Sequence, residues 1–329
     1  MPHFAPPGPL GFGGAPLGNM FDVVDEATAE AALTAAWDSG VRYFDTAPHY
    51  GSGLSEHRFG TVLRRYPREQ FVLSTKVGRL LRPDTSRPEN PPFKEGLPFR
   101  VDVDYSYDAT MRSIEDSFQR LGLAEIDIAF VHDLAPDHLG DAWEEQFEVA
   151  RTGAFRALDA LRDQGVLKGW GLGVNRTEPC VRALEQANPD VFLLAGRYSL
   201  LNQPALDRLF PLCAERGVHV VVGGPYNSGL LAGGRTFEYQ DAPAEMIEKR
   251  DRIAAVCERH GADIRSAALQ FCAAHPVVAA IIPGAKRPEK VHENARLMGA
   301  TVPAAVWEEL RSERLIPADA PVPGDTTGN

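Results

Sequence analysis

Cysteine is scarce: four in 329 residues. Cys180, Cys213, Cys257 and Cys272 form no CxxC pair and keep no metal-ligand spacing with histidine, which argues against a disulfide framework or a metal centre. Cys213 and Cys257 fall on apolar helical faces and read as buried thiols, as expected in a reducing compartment. No apolar run approaches the ~18 residues a membrane helix needs. The opening MPHFAPPGP has no apolar core for export, so a cytoplasmic location is expected. Positive charge is also in deficit: 34 Lys and Arg face 45 Asp and Glu, for a net charge of -11. Such a surface repels nucleic acid and anionic membrane, and any anionic cofactor must be gripped by a local basic cluster. A dinucleotide fingerprint is missing as well. In the run Gly11–Gly18, Pro16 stands where the third glycine of G-x-G-x-x-G belongs, and Gly169–Gly173 fails the spacing.

What is present is a regular alternation. Short apolar runs predict strands at Leu10–Gly13, Tyr43–Asp45, Val72–Lys76, Ile126–His132, Gly169–Val174, Phe192–Gly196, His219–Gly223 and Ala279–Pro283. Amphipathic helical patterns lie between them. Ala29, Leu33, Ala36 and Trp37 share one helical face, as do Met111, Ile114, Phe118 and Leu121, and Leu206, Leu209, Phe210 and Cys213. Repeated β-then-α units imply a parallel sheet with right-handed crossovers. Without a Gly-rich fingerprint for an open sheet, the expected fold is an α/β (β/α)8 barrel of the TIM type, one domain over residues 1–316. The Pro-, Asp-, Thr- and Gly-rich tail 317–329 is expected to fray. One connection, Gly78–Tyr105 with five prolines, is too long for a plain loop and follows a strand carboxyl end, the active face of a barrel. It is predicted to form a lid or pocket wall containing Phe93 and Phe99.

Four polar residues stand at or just after consecutive strand ends: Asp45, Tyr50, Lys76 and His132. In a barrel these positions converge on one mouth. Charged groups there are costly to bury unless paired. Lys76 and Asp45 can form a buried ion pair. The ammonium near Tyr50 is expected to lower the phenol pKa from its ordinary value of ~10. Tyr50 then acts as general acid for carbonyl reduction or general base for alcohol oxidation. His132 can orient the substrate oxygen and stabilise its developing charge. Hydride transfer requires a cofactor, since no side chain carries hydride.

The segment Phe44-Asp45-Thr46-Ala47-x-x-Tyr50-Gly51 with Ser55-Glu56 resembles the signature of the aldo-keto reductases. So do Ser74-Thr75-Lys76, Val131-His132-Asp133 and Ile282-Pro283-Gly284-Ala285 leading to Glu293-Asn294. The resemblance spans roughly Leu10 to Leu297 and implies that Asp45, Tyr50, Lys76 and His132 match the family's catalytic tetrad. Asp104-Tyr105-Ser106, Arg112-Ser113-x-Glu115-x-Ser117, Gly196-Arg197-Tyr198-x-Leu200-Leu201 and Asn227-Ser228-Gly229-Leu230-Leu231 resemble the branch of aldose 1-dehydrogenases and pyridoxal 4-dehydrogenases. That branch implies oxidation of a cyclic hemiacetal, such as L-fucose, a related aldose or pyridoxal, to a lactone.

The resemblance also implies a nicotinamide cofactor held by Asn175, Ser228, Gly229, Leu230, Pro283, Gly284, Lys286, Lys290, Glu293 and Asn294, with no metal. Many members place Lys and Ser after the proline to grip a 2′-phosphate. Gly284 and Ala285 stand there instead, so NAD is expected over NADP, with Lys286 or Arg287 the residues still able to reach a phosphate. Gly223 takes the place of a nicotinamide-stacking aromatic, Ala195 that of a glutamine, and Asn175-Arg176 that of a Ser-Asn pair. Trp143, Phe147, Tyr226 and Phe237 are candidate pocket aromatics. The sequence leaves open a general aldehyde reductase, a nicotinamide-binding regulatory subunit with little turnover, and a Schiff-base lyase using Lys76. Pairing with Asp45 argues against the last by keeping that lysine protonated. Nothing in the sequence specifies an oligomeric state.

Overall fold

The computed structural model describes residues 3–325. Eight parallel strands form one sheet: β1 (Phe12–Gly13), β2 (Tyr43–Asp45), β3 (Val72–Val77), β4 (Ile128–His132), β5 (Gly169–Val174), β6 (Val191–Ala195), β7 (His219–Gly223) and β8 (Val278–Ile282). Each pairs with the next in chain order. The ring closes where Leu10 and Gly13 bridge Ile281 and Gly284, with hydrogen bonds from Gly11 N to Ile281 O and from Ile281 N to Pro9 O, both 2.8 Å. Helices occupy the crossovers. The (β/α)8 barrel read from the sequence is the fold, and all eight strands lie within about two residues of their predicted bounds.

Two apolar layers follow from the period-2 alternation of strand side chains. Tyr43, Ile128, Phe130, Val191, Leu193, Val221, Ala280 and Ile282 fill the barrel lumen. The alternate residues, such as Phe44, Leu73, Ala129, Val131, Leu172 and Leu194, face the helices. Counting in twos from lumen residues reaches Asp45 from Tyr43, His132 from Phe130, Ala195 from Leu193 and Gly223 from Val221. Val72, packed on the lumen cluster, leads likewise to Ser74 and Lys76. The last lumen layer at the carboxyl end is therefore polar on one side and small on the other.

Helix ends obey local chemistry. Asp25 caps the helix Glu26–Asp38 by accepting from Thr28 N at 2.8 Å, and Ser106 caps Tyr107–Leu121 by accepting from Ala109 N. Gly122, at φ +60°, ends the latter in the left-handed conformation glycine tolerates. The predicted face at Leu206–Cys213 starts late: Leu206 closes a 3-10 turn, and the helix proper runs Leu209–Arg216.

Two loops depart from plain connections. Within 78–105, Arg79–Pro83 pairs antiparallel with Phe99–Val103, so the expected wall is a β-hairpin with a long tip. Phe93 on the tip is buried, whereas Phe99 is half-buried in the hairpin strand. After β7, the segment ends in a second small hairpin, Thr236–Phe237 with Gln240–Asp241. Packing also extends past Pro317. Ala320 and Val322 are buried, and Arg311 donates to Ala320 O at 2.7 Å and to Asp325 at 2.6 Å. Aliphatic burial and the Arg311 contacts thus tie down 317–325, where composition alone had pointed to fraying, and 326–329 lie outside the described residues. Among the described residues no helix is long and apolar enough to cross a membrane.

Gly60, inside the helix Leu54–Leu63, abuts the backbone of Leu121: a Cβ there would lie 2.0 Å from the Leu121 carbonyl oxygen. Alanine normally strengthens a helix by about 1 kcal/mol over glycine. Gly60→Ala is expected to do the reverse, lowering unfolding free energy by about 1–3 kcal/mol in urea titrations, because two backbones must move apart.

Candidate active site at the carboxyl end of the barrel

Asp45 ends β2, Lys76 lies one residue from the end of β3 and His132 ends β4. The Lys76 ammonium donates to Asp45 Oδ1 at 2.9 Å, Asp45 Oδ2 at 2.7 Å and Thr46 O at 2.9 Å. These three contacts account for the three donors of an ammonium. Both side chains are essentially excluded from solvent. Ser74 donates a further hydrogen bond to Asp45 Oδ1 at 2.7 Å. Gly173 on β5 lies against the lysine stem: a Cβ there would lie 3.2 Å from Phe130 Cβ and 3.4 Å from Lys76 Cε.

Tyr50 sits half-buried in the turn after β2. Its ring lies beneath Lys76 Nζ, 4.8 Å from nitrogen to centroid, and 5.7 Å from the His132 ring. The turn is anchored from below. Ser55 Oγ donates to Gly14 O at 2.9 Å, and Glu56, fully buried, accepts from Thr75 Oγ1 at 2.6 Å and from Arg120 at 2.5 Å. Tyr105 donates to the His132 carbonyl at 2.8 Å and so fixes the end of β4.

The expected fall in the Tyr50 pKa is not what the surroundings give. Burial pushes the phenol well above 10, and the Asp45 carboxylate adds to the rise. The lysine charge is answered by Asp45, and its ammonium meets the ring face, so whatever stabilisation it gives the phenolate is outweighed by burial. Burial also raises the Asp45 carboxyl, against the lowering effect of Lys76. The His132 imidazole is held well below 6.5 by burial, then by the charges of Lys76 and Arg79, and is neutral at physiological pH.

The second group of sequence candidates lies around the other half of the rim. Asn175 follows β5 and is half-buried. Ser228, Gly229 and Leu230 lie after β7, where Asn227, Ser228 and Gly229 are successive left-handed residues at φ +46°, +55° and +96°. Pro283 and Gly284 follow β8. Lys286 pairs with Asp22 at 2.6 Å and Lys290 with Glu293 at 2.7 Å. Glu293 also accepts from Arg265, which is bound by Asp263 as well. Asn294 is buried and accepts from the Tyr226 hydroxyl at 2.9 Å, joining the loop after β7 to the helix Pro288–Met298. Ala195 and Gly223 are register partners, so the two small replacements form one patch of the lumen top. A Cβ on Gly223 would fill that patch, 3.2 Å from Ala195 Cβ.

Two expected pocket aromatics lie elsewhere. Phe147 is fully buried between helices, against Phe155 at 5.5 Å, and Trp143 packs on it at 6.4 Å beneath Arg182. Their helix, Trp143–Thr152, turns its apolar face to the core. Phe237 packs partly buried from the second hairpin. Residues that the sequence reading passed over stand nearer the tetrad. The His49 ring lies 5.8 Å from that of His132 and 5.2 Å from that of Phe93. Arg79, from the first hairpin, pairs with Asp133 at 2.7 Å. Arg197, already part of the branch motif in the sequence, is buried just past β6, where it is ion-paired with Glu238 and ties down the second hairpin. His49 adjoins Tyr50 in sequence and carried a signal. Arg79 and Glu238 lie in loops whose folding back has no periodic signature.

A model of the aldo/keto reductase family matches residues 9–313. The chain belongs to the aldo/keto reductase family. Among its relatives in that family, the pyridoxal 4-dehydrogenase of Microbacterium luteolum is 44% identical over 93% of this chain and 94% of its own. The D-threo-aldose 1-dehydrogenase of a Pseudomonas species is 40% identical over 94% of each chain. Among solved structures, the holo form of an aldo-keto reductase from Bacillus halodurans superposes with a TM-score of 0.73 at 27% identity, covering 97% of both chains.

Burial depresses the His49 imidazole to about 3, helped by Arg79 and His138. A free histidine titrates near ~6.5, so below that pH protons favour the unfolded chain, and the stability present above it is lost as pH falls toward 3. Between pH 7 and pH 5 the protein should therefore lose about 1–2 kcal/mol more unfolding free energy than its His49→Gln variant. Urea titrations at both pH values check this, and equal losses would refute it.

Proposed function

We propose that this reductase is an NAD-preferring dehydrogenase that oxidises a cyclic hemiacetal, an aldose lactol or pyridoxal, to a lactone. The observation that carries the reading is the juxtaposition of Tyr50, His132 and the closed Lys76–Asp45 pair at the polar side of the lumen top, facing a side kept small by Ala195 and Gly223. The two relatives of 40% and 44% identity are named for an aldose and for pyridoxal, which supports this substrate class.

The residues fit a nicotinamide cofactor. A flat ring can lie over the Ala195–Gly223 patch, where a bulkier side chain would intrude. Asn175 directly follows β5, Pro283 and Gly284 follow β8, and Ser228, Gly229 and Leu230 lie in the loop after β7, on the same rim. Lys286, Lys290, Glu293 and Asn294 stand at and along the helix Pro288–Met298, suited to the adenosine end. Three basic side chains there are already answered by carboxylates, Lys286 by Asp22 and Lys290 and Arg265 by Glu293, while exposed Arg287 pairs with no carboxylate among the described residues. A 2′-phosphate would have to compete with those carboxylates, which favours NAD. When bound, the oxidised nicotinamide supplies the hydride acceptor and a positive charge.

The protein's own part is proton handling and orientation. The lactol hydroxyl loses its proton to the phenolate form of Tyr50, which becomes the phenol, as its carbon loses hydride and the carbon–oxygen double bond of the lactone forms. His132, neutral, donates to the reacting oxygen and fixes its direction. Asp45 holds Lys76 in place, and the ammonium over the Tyr50 ring stabilises the phenolate that must be present to accept the proton.

A panel of L-fucose, D-arabinose, pyridoxal and simple aldehydes, with NAD and NADP compared by nicotinamide absorbance, tests the reading. Turnover confined to aldehyde reduction would overturn it. Because the phenol is raised above 10, kcat/KM for oxidation should climb with pH through at least pH 9. Reduction, which uses the protonated form, should stay flat over the same range. Tyr50→Phe should lower turnover by at least about a hundredfold while NAD affinity, read by fluorescence quenching, is retained.

A further inference from the structure

The mouth holds a second polar group that the proton relay does not use. Asp133 directly follows His132 and is buried in the left-handed conformation, φ +53°, which non-glycine residues seldom adopt. That turn brings its carboxylate back beside the catalytic histidine, with Oδ2 3.7 Å from His132 Nε2. Arg79 holds the same oxygen at 2.7 Å. The other oxygen lies 3.6 Å from His138 Nε2, beyond hydrogen-bond length. An ionised carboxylate has about four acceptor positions, and these contacts leave most of them open. The nearby walls are short of partners too: Arg79 Nε, His49 Nδ1 and His132 Nδ1 are buried with none among the described residues. Buried groups left in this way require an explanation, and a polar ligand supplies one. Phe93, 5.6 Å from Tyr50 and 5.2 Å from His49, adds an apolar face against which a ring can lie.

We propose that Asp133, held by Arg79 and flanked by His138, accepts a hydrogen bond from a substrate hydroxyl next to the reacting centre and so selects hydroxylated rings over plain aldehydes. The assignment rests on the lactol-dehydrogenase reading. It also accounts for two differently shaped substrates, because an aldose carries such a hydroxyl at C2 and pyridoxal carries one on its ring beside the aldehyde carbon. Arg79 fixes the direction of the carboxylate and, rooted in the hairpin, couples the lid to the group that reads the substrate.

The test compares kcat/KM for L-fucose and 2-deoxy-L-fucose, and for pyridoxal and 3-deoxypyridoxal, with the NAD-loaded wild type, Asp133→Ala and the isosteric Asp133→Asn. In the wild type, the hydroxylated member of the pair that is turned over should be preferred by on the order of tenfold to a hundredfold. Asp133→Ala should reduce that preference to within about threefold by slowing the hydroxylated substrate while leaving the deoxy analogue near its wild-type value, and Asp133→Asn should fall between. NAD affinity should be the same in all three, which a general collapse of the mouth would not allow. A preference that survives in both variants, or a wild type indifferent to the hydroxyl, overturns the assignment while leaving the dehydrogenase reading standing. No turnover of any hydroxylated substrate overturns both.

Discussion

The site depends on an ion pair the protein has sealed from water. Moving an ammonium and a carboxylate into a protein interior costs several kcal/mol each, and their attraction offsets this only with well-aligned geometry and full hydrogen bonding. Lys76 and Asp45 meet that condition: the ammonium spends its donors on Asp45 and Thr46, and Ser74 supplies another partner for the carboxylate. A pair made only for stability could be replaced by packed apolar residues at little loss. Here it places a fixed positive charge over the face of Tyr50 without giving that charge a free proton to exchange. In the proposed mechanism the lysine is therefore an electrostatic element, and the tyrosine beside it is the group that handles the proton.

The barrel explains why these residues and no others meet. Alternation along each strand sends every second side chain inward, so the last inward positions of eight strands form a ring at one end. On β2, β3 and β4 that ring carries Asp45, Lys76 and His132, whereas on β5, β6 and β7 it carries Gly173, Ala195 and Gly223. Chemistry stands on one side and space on the other. Two replacements that look unrelated in sequence, Ala195 and Gly223, are neighbours in the sheet and act as a single feature. The loops then close the mouth with charge: Arg79 pairs with Asp133 from one hairpin, and Arg197 with Glu238 of the other.

Local pattern carried the fold and the convergence of the polar strand ends on one mouth because both obey short-range rules. Strand period predicted where β2, β4, β5 and β7 lie, and strand ends predicted where Asp45, Lys76 and His132 meet. The sign of the Tyr50 shift was not legible, since it depends on how completely the turn is buried and on where the Lys76 protons point, both long-range outcomes. Trp143 and Phe147 have the composition of a pocket wall, but their helix turns that face to Phe155 and Trp170. Arg79, Asp133 and His138 come together only because the segment after β3 folds into a hairpin and Asp133 takes a left-handed turn, neither of which has a periodic signal. Past Pro317, the burial of Ala320 and Val322 is likewise a matter of tertiary contact.

The most direct measurement of the central claim is the pH dependence of lactol oxidation in Lys76→Met beside the wild type, with circular dichroism confirming the fold. If the ammonium stabilises phenolate on Tyr50, removing it while Asp45 remains should displace the rising limb of kcat/KM to higher pH by about one unit or more, along with a loss of rate. A limb that stays in place under a uniformly reduced rate would mean that Lys76 only supports the architecture, and the electrostatic account of the site would be contradicted.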